Sequence, residues 1–113
     1  MRVLVTGASG MVGKAVQEKA SRLPGSVFYF TRSRESDLTN RDQTLALLER
    51  VRPNAIIHLA AKVGGVKGNT DYMAEYYTEN IRMNTNILEA AHRVGVEKVV
   101  SLLSTCIYPD KVV

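Results

Sequence analysis

The apolar residues of this chain change period along its length, and the changes mark out its elements. Val3, Leu4 and Val5 form a short apolar run that ends at Thr6, which reads as a buried strand. From Met11 to about Arg22 the period is helical, with Val12, Ala15, Val16 and Ala20 on one stripe and Lys14, Gln17, Glu18 and Lys19 mostly off it. Pro24-Gly25 stops that helix. Val27 to Thr31 is rich in aromatic and β-branched residues and reads as a second strand. About Arg41 to Val51 is a second helix, capped by Thr39 or Asn40, with Leu45, Leu47 and Leu48 as its apolar contacts. Ala55-Ile56-Ile57-His58-Leu59-Ala60 is almost continuously apolar, as a parallel strand covered on both faces is. His58 within it reads as a packed, hydrogen-bonded core residue rather than a catalyst. A long helix runs from about Tyr72 to Val94, before Gly95. Tyr76, Asn80, Met83, Ile87, Leu88 and Ala91 trace its inner side, and Tyr77, Ile81 and Thr85 a second, partly apolar face. Lys98 to Leu103 is the fourth strand.

Strands alternating with helices at this spacing predict an α/β fold. The expectation is a Rossmann-like parallel sheet with right-handed crossovers and strand order 3-2-1-4. No internal repeat, low-complexity tract or linker interrupts it.

The first strand turns into its helix through Gly7, Gly10 and Gly13, spaced G-x-x-G-x-x-G. That context suits a pyrophosphate. Gly7 permits the tight turn, Gly10 lets the backbone approach the phosphates, and Gly13 lets the helix pack closely on the sheet. The helix N-terminus adds unpaired N–H groups and partial positive charge. After the second strand, where an acid would bind the ribose 2′-hydroxyl of NAD, the chain has Thr31-Arg32-Ser33-Arg34. Two arginines suit a 2′-phosphate, so NADP is favoured over NAD; the alternative is two solvated loop cations. Asp37 suits either a turn or the adenine end of a cofactor. Ala60-Ala61 leaves the third strand with side chains small enough for a dinucleotide to lie across the strand ends, followed by Lys62 and a flexible Gly64-Gly65.

At 113 residues the chain is one domain at most, and 45% hydrophobic and 23% charged residues are ordinary for a folded one. The net charge of +4 comes from scattered residues, not a basic block. It points to an anionic cofactor or nucleotide-linked substrate rather than nucleic acid. A single cysteine, Cys106, excludes an internal disulfide and fits a reducing compartment. No leader or membrane-length apolar run is present, so a soluble cytoplasmic protein is expected, and no metal site.

Thr6 to Gly13, Asp37-Leu38, His58-Leu59-Ala60-Ala61 and the strand ending in Ser104 resemble the extended short-chain dehydrogenase/reductases. Ala61-Lys62-Val63-Gly64-Gly65, Asn80-Ile81-Arg82-Met83-Asn84 and Leu103-Ser104-Thr105-Cys106-Ile107-Tyr108-Pro109 are similar to its branch that converts GDP-4-keto-6-deoxy-D-mannose to GDP-L-fucose by epimerisation and NADPH-dependent reduction. The resemblance implies that Gly7, Ala8, Ser9, Gly10, Met11, Val12 and Gly13 hold the pyrophosphate. Arg32 and Arg34 would hold the 2′-phosphate, Asp37 and Leu38 the adenine side, and Leu102, Leu103, Ser104 and Thr105 the nicotinamide side. Ser104 would hydrogen-bond the sugar carbonyl during hydride transfer. Cys106 would act as acid or base in epimerisation, a task that suits a thiol of tuned pKa; without the resemblance it reads as a small buried residue.

No Tyr-x-x-x-Lys pair occurs in these 113 residues. The family's general acid, its second epimerisation residue and its substrate domain would therefore lie further on. Residues 1–113 would be the amino-terminal part of an NADP-binding domain, inactive alone, with homodimers forming in the full-length enzyme. The fourth strand would then be an unpaired edge and the chain alone marginally stable or prone to associate. Three other readings stand beside this one: another nucleotide-sugar epimerase or dehydratase, a non-catalytic NADP-binding module, and a remnant that dimerises through its long helix.

Overall fold

Among residues 1–32, 34–61 and 73–101, which the computed structural model describes, strands and helices alternate as the periodicity requires. The elements are β1 (Arg2–Thr6), α1 (Met11–Ala20), β2 (Val27–Thr31), α2 (Arg41–Val51), β3 (Ala55–His58), α3 (Met73–Val94) and β4 (Lys98–Ser101). The strands form one parallel sheet, as expected of a Rossmann-like fold. Lys62, the Gly64-Gly65 loop, and Leu102, Leu103, Ser104, Thr105 and Cys106 lie outside the described residues.

The strand order is β2-β1-β3-β4, which corrects the expected 3-2-1-4. After β2 the chain returns across β1 instead of continuing outward. Burial explains the choice. β3 is apolar on both faces, with Ile56 fully buried, and an edge position would expose it. β2 tolerates the edge because Val27 and Tyr29 are 54% and 41% exposed there. The point where successive connections leave in opposite directions therefore falls between β1 and β3.

On one face of the sheet Leu4 and Ile56 are register partners. They pack with Leu47 and Leu48 of α2 and with Met83, Ile87, Ala90 and Ala91 of α3. Leu45 is only partly buried against this cluster. The α2 start is settled in favour of Asn40, whose side-chain oxygen accepts the Gln43 N–H at 3.0 Å. α3 ends where the N–H groups of Gly95 and Val96 both return to the Ala91 carbonyl. Leu88, expected inside, is 56% exposed. It follows Ile87 by one residue, about 100° around the helix, and joins exposed Tyr77 and Ile81 instead.

α1 is rotated from its expected setting. Val12 and Ala15 face solvent, while Gly13 is buried and Val16, Gln17 and Ala20 are half-buried. The polar Gln17 turns inward because it has a bond to make: its Nε2 donates to the Ala8 carbonyl at 2.9 Å.

Candidate functional site

The turn after β1 is shaped by three glycines with separate duties. Gly7 has φ +70°, and a Cβ there would lie 2.6 Å from the Ala60 nitrogen and 2.7 Å from the Leu59 carbonyl carbon. A Cβ on Gly13 would lie 2.6 Å from Ala8 Cα and from the Gly7 carbonyl oxygen. The first turn of α1 thus packs closely against the glycine turn, whose backbone lies nearest to Gly13. Gly10 is different, since among the described residues its Cβ would meet only the Gly7 oxygen, at 3.5 Å. Gly10 caps α1 with no side-chain hydrogen bond, and no acid occupies the first helical turn. Among the described residues no side chain thus competes for the N–H groups at this helix end.

This turn opens on a cavity of about 800 Å³ at the carboxyl ends of β1, β2 and β3. Gly7, Ser9 and Gly10 form one wall, and Thr31, Arg32 and Ser36 to Thr39 another. Leu59, Ala60 and Ala61 form the floor, with Glu79 and Met83 of α3 beside them. Open α/β sheets bind ligands at such a reversal of strand order, and the volume suits a large cofactor.

Eight residues singled out in the sequence meet here: Gly7, Ser9, Gly10, Arg32, Asp37, Leu38, Ala60 and Ala61. Others do not. Ala8 and Gly13 are buried, outside the lining; Met11 is 87% exposed, and Val12 and Arg34 are exposed, all three away from the lining. Asp37 serves the turn, as one of its two readings required. Its Oδ1 accepts from the Thr39 N–H at 3.0 Å and the Thr39 hydroxyl at 2.6 Å.

Sequence reasoning missed Thr31, Ser36, Thr39, Leu59, Glu79 and Met83 as cavity residues. Glu79 and Met83 are four apart, hence on one helix face. That spacing was visible; the direction in which the face looks was not. Thr31 is 4% exposed, and among the described residues its Oγ1 has no hydrogen-bond partner. A buried hydroxyl without a partner is costly.

His58 is 4% exposed, a core residue as its place in an apolar strand implied. Its Nδ1 lies 2.7 Å from Thr6 Oγ1 and its Nε2 2.9 Å from Asn84 Oδ1. Burial lowers its pKa from the usual 6.5, and the Asn84 hydrogen bond opposes this only in part. The unfolded chain therefore binds a proton more readily than the folded one. The His58 contribution to stability is fully present above pH 6.5 and is lost as pH falls through the depressed folded-state pKa. Urea unfolding between about pH 7.5 and 5.5 is expected to show declining stability, with a His58 slope no steeper than about 1.4 kcal/mol per pH unit. An equally steep decline in His58→Gln would count against this assignment.

Comparison with known proteins agrees with this architecture. Residues 3–112 match the model of the NAD dependent epimerase/dehydratase family. A GDP-L-fucose synthase of Dictyostelium discoideum is 45% identical over 111 residues, covering 96% of this chain and 35% of that protein. A probable GDP-L-fucose synthase of Drosophila melanogaster is 45% identical over 112 residues, covering 97% of this chain and 35% of its own. A crystal structure of a GDP-L-fucose synthetase from Naegleria fowleri bound to NADP superposes with a TM-score of 0.88 at 38% identity, covering 98% of this chain and 36% of that one. The chain spans about a third of the length of the curated relatives it matches.

Proposed function

Because this chain belongs to the NAD dependent epimerase/dehydratase family, we propose that it is the NADP-binding part of an enzyme that epimerises and reduces a GDP-linked 4-keto-6-deoxy sugar. The observation that carries this reading is one cavity lined by both the glycine turn and Arg32. The residues fit the cofactor's chemistry. The amides at the start of α1 have no side-chain cap, a Cβ at Gly10 would meet only the Gly7 oxygen among the described residues, and the Arg32 guanidinium follows the end of β2. The dinucleotide, when bound, supplies the hydride for reduction of the sugar ketone.

The protein's own groups bind and orient. Gly7, Ser9 and Gly10 receive the pyrophosphate, Arg32 the 2′-phosphate, Leu38 the adenine side, and Ala60 and Ala61 the span between them. Ser104 is assigned to the sugar carbonyl and Cys106 to proton transfer at the carbons beside it, on the strength of their match to the family pattern. Residues 1–113 are read as the amino-terminal part of the cofactor domain, with the sugar-recognising part outside them. A cytoplasmic enzyme is proposed; among the described residues no helix is long and apolar enough to cross a membrane. The exposed stripe of Tyr77, Ile81 and Leu88 on α3 is assigned to contact with a second copy of the chain.

The test is fluorescence titration of the full chain with NADPH and NADH. NADPH is expected to bind more tightly. Arg32→Ala should weaken NADPH by about 10- to 100-fold, the range of a lost charge-assisted hydrogen bond, and leave NADH nearly unchanged. Equal loss for both nucleotides would remove Arg32 from the 2′-phosphate site. Absence of binding to the folded wild-type chain would remove the cofactor reading.

A further inference from the structure

The hydrogen bonds beneath the cavity can run in one direction only. Thr6 Oγ1 accepts the Leu59 N–H at 3.1 Å and the Ala60 N–H at 3.2 Å. A hydroxyl has two lone pairs and one proton, so both lone pairs are engaged and the proton needs an acceptor. His58 Nδ1 stands 2.7 Å away. Nδ1 therefore keeps its lone pair, the imidazole proton sits on Nε2, and Nε2 donates to Asn84 Oδ1 at 2.9 Å. The path leads from the backbone just after β3, through the last residue of β1 and the last residue of β3, to the middle of α3.

The groups at its start are cavity groups. Leu59 and Ala60 form the floor, and they are the residues that a Cβ on Gly7 would strike. At its far end Asn84 adjoins Met83, which lines the same cavity. Thr6, His58 and Asn84 are not among the lining residues, and Thr6 and His58 are buried.

We propose that Thr6, His58 and Asn84 are positioning residues, a one-way hydrogen-bond chain that holds Leu59–Ala60 at its height under the glycine turn and ties that floor to α3. The benefit to a dinucleotide rests on the cofactor reading above. The hold on the floor does not. A hydroxyl that must donate to His58 is locked in the orientation that receives both N–H groups, so the tautomer of a buried imidazole sets the backbone that a ligand would lie on.

The test uses the full chain, labelled with ¹⁵N, and three readouts: the ring nitrogens of His58, hydrogen exchange at the Ala60 amide, and NADPH affinity. Wild type should show a single neutral tautomer with the proton on Nε2 and a protected Ala60 amide. Thr6→Ser keeps the hydroxyl and should retain both. Thr6→Val keeps the shape and removes the hydroxyl. It should lose Ala60 protection and weaken NADPH about tenfold, as loss of one buried hydrogen bond does. Asn84→Asp keeps the shape but places a carboxylate against Nε2, which favours a second ring proton. That proton would face a hydroxyl whose lone pairs are already used, so Ala60 protection and NADPH affinity should again fall. A proton found on Nδ1 in wild type, Ala60 protection unchanged in Thr6→Val, or wild-type behaviour of Asn84→Asp would each overturn the proposal. If wild type bound no NADPH, the cofactor reading would fall. The tautomer and the Ala60 exchange, which need no ligand, would still decide the hydrogen-bond chain.

Discussion

Gly7→Val is expected to lower the thermal unfolding midpoint by about 10–20 °C, the largest effect of any single substitution in the glycine turn. Two costs add. An L side chain at φ +70° is strained, by about 1–2 kcal/mol. The new Cβ would also sit 2.6–2.8 Å from the backbone of Leu59 and Ala60, which no rotamer change relieves. Prising apart two strand exits costs about another 1–3 kcal/mol. Against a total stability of about 5–15 kcal/mol for a domain, much of the population would unfold on mild heating. Circular dichroism melts of wild type, Gly7→Ala and Gly7→Val check this. Alanine should already produce most of the loss, since Cβ itself makes the clash. A midpoint within about 2 °C of wild type for Gly7→Ala would show that the turn relaxes freely.

Gly10→Val is expected to do the reverse: keep the fold and lose the ligand. Gly10 has φ −77°, which any residue adopts, and among the described residues its Cβ position meets only the Gly7 oxygen, at 3.5 Å. Stability should move by less than about 1 kcal/mol. The isopropyl group, however, would stand at the mouth of the turn where the proposed pyrophosphate meets the helix amides. NADPH binding should weaken by about 100-fold or more, roughly 2.7 kcal/mol. The paired readout separates two kinds of glycine that look alike in sequence. Undiminished NADPH affinity in a folded Gly10→Val chain would mean the pyrophosphate lies elsewhere.

The sequence by itself determined the elements and the character of the site. Period changes at Thr6, Met11, Val27, Arg41 and Ala55 bound the elements to within a few residues, because burial of one face imposes a period that composition reveals. The glycine spacing and the arginines after β2 pointed to a phosphate-bearing ligand, because close backbone approach and phosphate charge each require particular residue types. His58 was legible as a core residue from the apolar strand around it.

Only the tertiary structure decided which elements are neighbours and which way each face looks. Connection lengths allow β3 to lie beyond β2 or beside β1. The choice goes with β3 having no exposed residue, Ile56 and His58 being buried and Ala55 and Ile57 half-buried, while β2 exposes Val27 and Tyr29, a comparison between strands. The rotation of α1 was set by Gly13 meeting the backbone of Gly7 and Ala8, a contact across the turn that moved Met11 and Val12 away from the cavity. Arg32 enters the cavity and Arg34 does not, although neither the charge nor the loop distinguishes them. Thr31, Glu79 and Met83 become cavity residues only when β2 and α3 are brought to the same end of the sheet. The Thr6–His58–Asn84 chain joins residues 52 and 26 positions apart. No local pattern encodes it, since a hydrogen bond between distant side chains exists only once packing has placed them within 3 Å of each other.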